Sequence, residues 1–238
     1  MSNAFSIAID GPAAAGKGTI VQMLTSMLSG SNIYTGGMYR ALGLKCIRNN
    51  VSLDDSSGIV KILHESDINL GVEDTLGVVA KIYLDGEDVT EKIKNPAVAI
   101  AAGKVALIKE VREEMVNVQR QIAESLIKKG KIAILDGQDT ALIIPEAKLK
   151  LFLTASPKVR AARRQKQYKK QNMDKSFESV LEEIKDRDAR DWSRELRPLS
   201  KDPIKDGYFI VDSSNLNEQE TIDVIIEELK KRGLYDQN

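Results

Sequence analysis

The chain is poor in several residues whose abundance would decide its class. It has one cysteine, Cys46, which excludes an internal disulfide and fits a reducing compartment; core filling is the expected use of that thiol. Its one histidine, His64, has no partner at a spacing that suggests a metal or a proton relay, so a structural or surface place is expected. Neither charge is in excess: Lys plus Arg and Asp plus Glu number 35 each. No global field therefore draws in a nucleic-acid polymer, and any anion must be bound locally. No apolar run approaches the ~18 residues of a membrane span. Asp10 interrupts the N-terminal apolar stretch and no cleavage site follows it, so no secretory signal is expected. A cytoplasmic protein without a membrane partner is the expectation. At 238 residues, one α/β domain with insertions is the natural size class.

Against these absences, Phe5 to Gln22 stands out. FSIAID reads as a buried strand, GPAAAGKGT as a glycine-rich turn, and the residues from Gly16 to about Leu28 as a helix. Gly11, Pro12, Ala13, Ala14, Ala15, Gly16, Lys17, Gly18 and Thr19 fit the phosphate-loop spacing, with Lys17 directly after the second glycine. Glycines let successive backbone N–H groups turn inward at a helix N-terminus, which makes an anion nest. A lysine adds a point charge that follows a phosphate. The plainer alternative is a glycine turn that binds nothing. Gly18 stands where many such loops place a hydroxyl for magnesium, and Thr19 comes one residue later.

Beyond the loop, strands and helices alternate, which predicts a mainly parallel sheet with helices on both faces. Ile33 and Tyr34 mark a short strand, and TGGMYR opens a helix to about Asn49. From Asp67 to Thr90 the texture turns β-like, with INLGV, VVAKIYL and an Asp-Gly turn in LDGEDV, so a small antiparallel insert is expected. Asn95-Pro96 ends it. A long helical region runs from Ala97 to Lys129, with Gly103 as its expected break and Gly130 as its cap. KIAILD (131–136) and KLFLT (150–154) read as further strands. Two charged helices follow at about 157–172 and 177–196, then the strand YFIVD (208–212) and a closing helix at 218–232.

In an open parallel sheet, ligands sit beyond the carboxyl ends of the strands. Four groups fall at such ends: residues 11–19, residues 35–40, Asp136 to Asp139, and the loop after Asp212. Thr35 and Arg40 are placed to bracket a phosphate, or else form an ordinary helix start with a surface arginine. Asp136 and Asp139, flanking Gly137 and Gln138, suit magnesium held through water or hydrogen bonds from a base or ribose; capping by Asp139 is the alternative. Arg187, Arg190, Asp191 and Arg194 recur at i, i+3, i+4 and i+7, which puts them on one helical face. Alone this is a solvated face; beside a phosphate loop it is a clamp for phosphates. The helix before it carries Lys158, Arg160, Arg163, Arg164, Lys166, Lys169 and Lys170 with no acid between them, which suits a closing lid.

Taken in order, IDGPAAAGKGT, TGGMYRA, LDGEDVT, KEVREEM, LDGQD, KLFLTAS, RAARR, IKDRDARDWSR and VDSSNL resemble bacterial-type cytidylate kinases over nearly the whole chain. The resemblance implies a phosphate-loop kinase fold as a single domain (1–238), with a monophosphate-binding insert at about 66–98 and a lid at about 158–174. It implies phosphoryl transfer from ATP–Mg to CMP or dCMP, magnesium arriving with ATP and touched through water by Thr19 and Asp136. Lys17 and the loop amides, with Arg160 and Arg164, would bind ATP. Thr35, Arg40, Gly103, Arg112, Asp136, Gln138, Asp139, Arg187, Asp191 and Arg194 would bind CMP, and Lys17, Arg187 and Arg194 would be catalytic. A monomer is expected. Several positions depart from the family's pattern: Tyr34 replaces an aspartate, Gly103 a serine, Gln138 an arginine, and Thr140-Ala141 a Met-Gly pair. Two alternatives therefore stay open, a kinase for another small phosphate acceptor such as UMP, and a catalytically weak nucleotide-binding or regulatory protein.

Overall fold

The computed structural model describes residues 4–71 and 81–235. Five parallel strands form the central sheet: β1 (Ser6–Asp10), β2 (Ser31–Tyr34), β6 (Ala133–Asp136), β7 (Leu149–Thr154) and β8 (Phe209–Asp212). Their order is β2-β6-β1-β7-β8, so the first strand of the chain lies at the centre. Consecutive side chains alternate between the two faces. Ile7 and Ile9 pack with Ile134, Leu149, Leu151 and Leu153 on one face. Helices α1 (Lys17–Met27) and α9 (Glu218–Lys231) cover that face with Ile20, Val21 and Leu24 and with Ile222, Ile225, Ile226 and Leu229. Ala8, Ala133 and Leu135 turn to the other face. There Val116, Ala123 and Leu126 of α5 (Lys109–Lys128) and Ala141 and Ile143 of α6 (Thr140–Ile143) close the core. A strand buried on both faces reads as a continuous apolar run, which is how β1 announced itself.

Helices α2 (Thr35–Arg48), α3 (Ser56–His64) and α4 (Pro96–Val105) build the side of the molecule that carries the insert. The insert is an antiparallel sheet of β3 (Ile68–Gly71), β4 (Lys81–Leu84) and β5 (Glu87–Asp88). Asp85 and Gly86 both have positive φ, 52° and 80°, the paired left-handed conformation of a two-residue hairpin turn. Ile82 and Leu84 point inward onto Ala41 and Leu44 of α2, so the insert is seated on the first helix after β2. Part of the VVAKIYL stretch expected here, Val78 to Ala80, lies outside the described residues, as does Val72.

Helix α7 (Pro157–Lys170) and helix α8 (Phe177–Ser193) form a hairpin whose contact is made by Ala161, Val180 and Ile184. One expectation needs correcting. The helical region does not break at Gly103, which lies inside α4; it breaks at Ala106–Ile108, where Ile108 is extended (ψ 125°). A mid-helix glycine with room around it costs propensity but leaves the ladder intact. Gly130 does follow the end of α5 with φ 75°.

Candidate active site

All four sequence groups meet along one edge of the sheet. In register, Tyr34 lies opposite Asp136, Asp136 opposite Ile9, Asp10 opposite Phe152, and Thr154 opposite Asp212. The loops leaving β1, β2, β6, β7 and β8 therefore start from one row. The phosphate loop has the backbone its glycines demand: Gly11 at φ 145°, Ala14 at 60° and Gly16 at 104°. A β-carbon on Gly11 would come within 2.0 Å of the Leu153 carbonyl oxygen, so only glycine fits where β1 leaves the sheet beside β7. Lys17 Nζ folds back to donate to the carbonyl oxygens of Gly11 (2.7 Å) and Pro12 (3.1 Å). Burial lowers the Lys17 pKa, Asp136 pulls it up, and Arg187 pushes it down again.

Across from the loop, Asp136 ends β6. Burial pushes its carboxyl up to about 6, against the attraction of Lys17 and with the repulsion of Asp10. Thr35 Oγ1 donates to the Asp136 carbonyl (2.7 Å), and Arg40 Nη1 to the Ile93 carbonyl (2.8 Å), so both are anchored at the head of α2. Asp139 does not cap α6 with its side chain. Its carboxylate accepts from Arg112 Nη1 at 2.8 Å, both residues being buried. The Arg112 guanidinium also lies over the Tyr39 ring, 5.6 Å from its centroid. The Tyr39 hydroxyl is pushed up to about 12 by burial, partly countered by Arg112.

Arg187 and Asp191 on α8 face the same space. Gln138 Nε2 donates to Asp191 Oδ2, and Arg187 Nε is 3.7 Å from the same oxygen. Burial depresses the pKa of Arg187 and of Arg194. Among the described residues, Arg194 Nη2 and Arg197 Nη1 are buried with no hydrogen-bond partner, although Arg194 Nε reaches the Asp191 carbonyl (3.4 Å). Unpaired buried donors of this kind call for an acceptor, and guanidinium groups favour an anionic one. Of the departures, Gln138 takes a fixed place on Asp191. Tyr34 lies against Gly36 and Gly37 and joins the apolar cluster of Ile82. Gly103 has nothing within 4 Å of where a β-carbon would stand.

Arg160, expected to bind ATP, is held by protein partners. It is 2% exposed and grips Asp188 with both terminal nitrogens (2.8 and 2.5 Å), while Nε donates to the Ala155 carbonyl (2.8 Å). Arg164 is half-buried, bonded to Gln167 Oε1 and placed over the Tyr168 ring, and its charge helps to depress the pKa of Arg187.

Sequence reasoning missed Asp10, Tyr208, Asp188 and Arg197, and placed Arg163 only in the basic lid helix. Asp10 is wholly buried and accepts from the Thr140 N–H (2.7 Å) and hydroxyl (2.8 Å), the Ala141 N–H (2.9 Å) and the Tyr208 hydroxyl (2.8 Å). It thereby ties the loop after β6 to the start of the phosphate loop. Burial raises its pKa and these hydrogen bonds oppose the rise. A charge ending an apolar strand was the available signal, since a buried carboxylate requires partners.

The family model described as cytidylate kinase matches residues 7–231. The chain is 42% identical to the cytidylate kinase of Caldanaerobacter subterraneus subsp. tengcongensis, over 94% of each chain. It is 43% identical to that of Caldicellulosiruptor bescii over 93% of this chain and 94% of the relative. To that of Bacillus subtilis it is 36% identical, over 98% of this chain and the relative's full length. With the phosphate loop, the arginine-bearing helix and the buried acid–arginine pair on one sheet edge, the chain belongs to the cytidylate kinase family and is a nucleoside monophosphate kinase.

Proposed function

We propose that this enzyme transfers the γ-phosphoryl group of ATP–Mg to CMP or dCMP, releasing ADP and the diphosphate. The observation that carries the reading is the opposition of two sites: the phosphate loop on one side, and the unpaired donors of Arg194 and Arg197 with the Arg112–Asp139 pair on the other. An oxygen of the acceptor phosphate attacks the γ-phosphorus as the bond to the β-phosphate oxygen breaks. That oxygen is already anionic, so no general base is needed, and the protein's work is positioning and charge neutralisation. The loop amides and Lys17 hold the donor phosphates. Thr35, Arg40, Arg187 and Arg194 hold the acceptor phosphate, and Asp191 the ribose. Arg112 and Asp139 present a donor and an acceptor side by side, which suits the polar edge of cytosine.

Magnesium fits this site in the mode that uses few protein ligands. Among the described residues no group of three or more His, Cys, Asp or Glu side chains could hold a metal, whereas Asp136 and the Thr19 hydroxyl suit an ion that keeps its waters and rides on phosphates. When bound, the ion neutralises charge on the transferring phosphates. Residues 66–98 serve as the monophosphate-side insert and 158–174 as the lid. A coupled assay with ATP and CMP, dCMP, UMP, AMP and GMP tests the reading. Turnover is expected with CMP and dCMP; a preference for UMP would move the assignment to another pyrimidine, and ATP binding without transfer to any of the five would refute it. Lys17→Met is expected to abolish transfer while leaving the melting temperature unchanged.

A further inference from the structure

Phosphate loops turn their N–H groups inward, which leaves their carbonyls facing out. Two arginines of α7 reach those outward carbonyls. Arg163 Nη1 donates to the Ala15 carbonyl (2.8 Å) and the Ser213 hydroxyl (3.0 Å), and Nη2 to the Ser213 carbonyl (2.8 Å). Arg160 Nη1 touches the Ala13 carbonyl (3.3 Å) while the guanidinium is locked on Asp188. Asp188 immediately follows Arg187 on α8 and lies one turn before Asp191. The same buried ion pair therefore has the donor loop at one end and the acceptor-facing side chains of α8 at the other.

We infer that Arg160, Arg163 and Asp188 are positioning residues that hold the phosphate loop from outside and fix α8 to it, so that donor and acceptor sites keep one relative placement. This rests on the kinase reading above, though its first half concerns the loop alone. Arg163 sets the loop's shape through a planar fork that bridges Ala15 and Ser213, a task a lysine's point charge does not perform. Arg160 and Asp188 carry the registration between loop and helix. A buried pair is weak evidence for stability, because apolar replacements of similar volume are often tolerated. That tolerance makes the idea testable without unfolding the protein.

Two variants serve, Arg163→Lys and the double variant Arg160→Met/Asp188→Leu. In each, melting temperature, affinity for a non-hydrolysable ATP analogue with Mg²⁺, and the separate kcat and KM values are measured. Arg163→Lys keeps the charge, yet its analogue affinity is expected to fall about tenfold, at the scale of one lost charge-assisted hydrogen bond. A Lys variant that binds like the wild type overturns the loop grip. The folded double variant is expected to lose at least about tenfold in kcat with both KM values near wild type, the pattern of a misplaced rather than unbound substrate. If it turns over normally, the pair is merely structural and the registration is refuted. Should the double variant not fold, Arg163→Lys decides the grip and the milder Asp188→Asn, read by the same kcat and KM split, decides the registration. If the wild type transfers to no monophosphate, the kinase reading fails, and analogue binding by Arg163→Lys still judges the grip.

Discussion

The proposed acceptor side can be probed one side chain at a time. The Gln138 amide holds the Asp191 carboxylate. Replacing the glutamine with a near-isosteric apolar residue, Gln138→Met, leaves that carboxylate only its ion pair with Arg187 (3.7 Å). The KM for the acceptor is expected to rise about tenfold with the ATP KM unchanged, because one charge-assisted hydrogen bond is removed. Steady-state kinetics with each substrate varied in turn checks this.

Asp136 gives a pH signature. Its folded pKa, about 6, lies above the ordinary 3.8 because burial disfavours the charge. A raised carboxyl pKa means that the folded state binds the proton more tightly, so this residue costs stability as pH rises from about 4 to 6, and the cost stays constant above. Asp136→Asn is therefore expected to be more stable than wild type at pH 8 by about 1–2 kcal/mol, after discounting for its place in an open cleft. The advantage should vanish near pH 4. Thermal melts of both proteins without nucleotide across that range decide it.

At the scale of elements, much of the fold was legible because its signals are local. The apolar run of β1, the glycines of the loop and the Asp-Gly turn each encode geometry within a few residues. Helix α3 was not read, although Asp55 caps it by accepting from the Gly58 N–H (2.9 Å) and Ile59, Ile62 and Leu63 share its buried face; nine residues are shorter than the stretch over which a helical period becomes legible. The break between α4 and α5 was assigned to Gly103 when the chain turns at Ala106–Ile108, where nothing in the residue types forbids helix. That boundary is set by tertiary packing: Val105 and Val111 both enter the cluster of Met38 and Leu42. Gly103 supplies the test. With open space at its β-carbon, Gly103→Ala is expected to raise stability by about 0.5–1 kcal/mol. Gly11→Ala, 2.0 Å from the Leu153 carbonyl, should instead cost well over ~2 kcal/mol or prevent folding. Denaturant titration reads both.

The candidate site shows the same division between local and distant information. Lys17, Arg187 and Asp139 were found because their motifs are contiguous. Asp10 with Tyr208 and Arg160 with Asp188 were not, since their partners lie 198 and 28 residues away. A single sequence carries no signal for such pairings beyond the cost of burying an unpartnered charge.

Across the whole molecule, ligand binding should register as stability. A non-hydrolysable ATP analogue with Mg²⁺ at a hundred times its Kd is expected to add about 2.7 kcal/mol, by mass action on the folded state alone. Adding CMP on top should raise the melting temperature again, and no second rise would argue against a separate acceptor site.

The central position of β1 has a consequence for how the molecule comes into being. Among the described residues β1 pairs with β6 and β7, which begin at Ala133 and Leu149, and α1 is covered by a helix that starts at Glu218. During translation the phosphate loop therefore emerges well before the strands and the helix that hold it. A nascent chain halted before residue 133 has a complete nucleotide-binding motif and no sheet to hold it open. Binding competence should appear abruptly once these later segments are made, and β1 until then is an apolar strand with two unpaired edges.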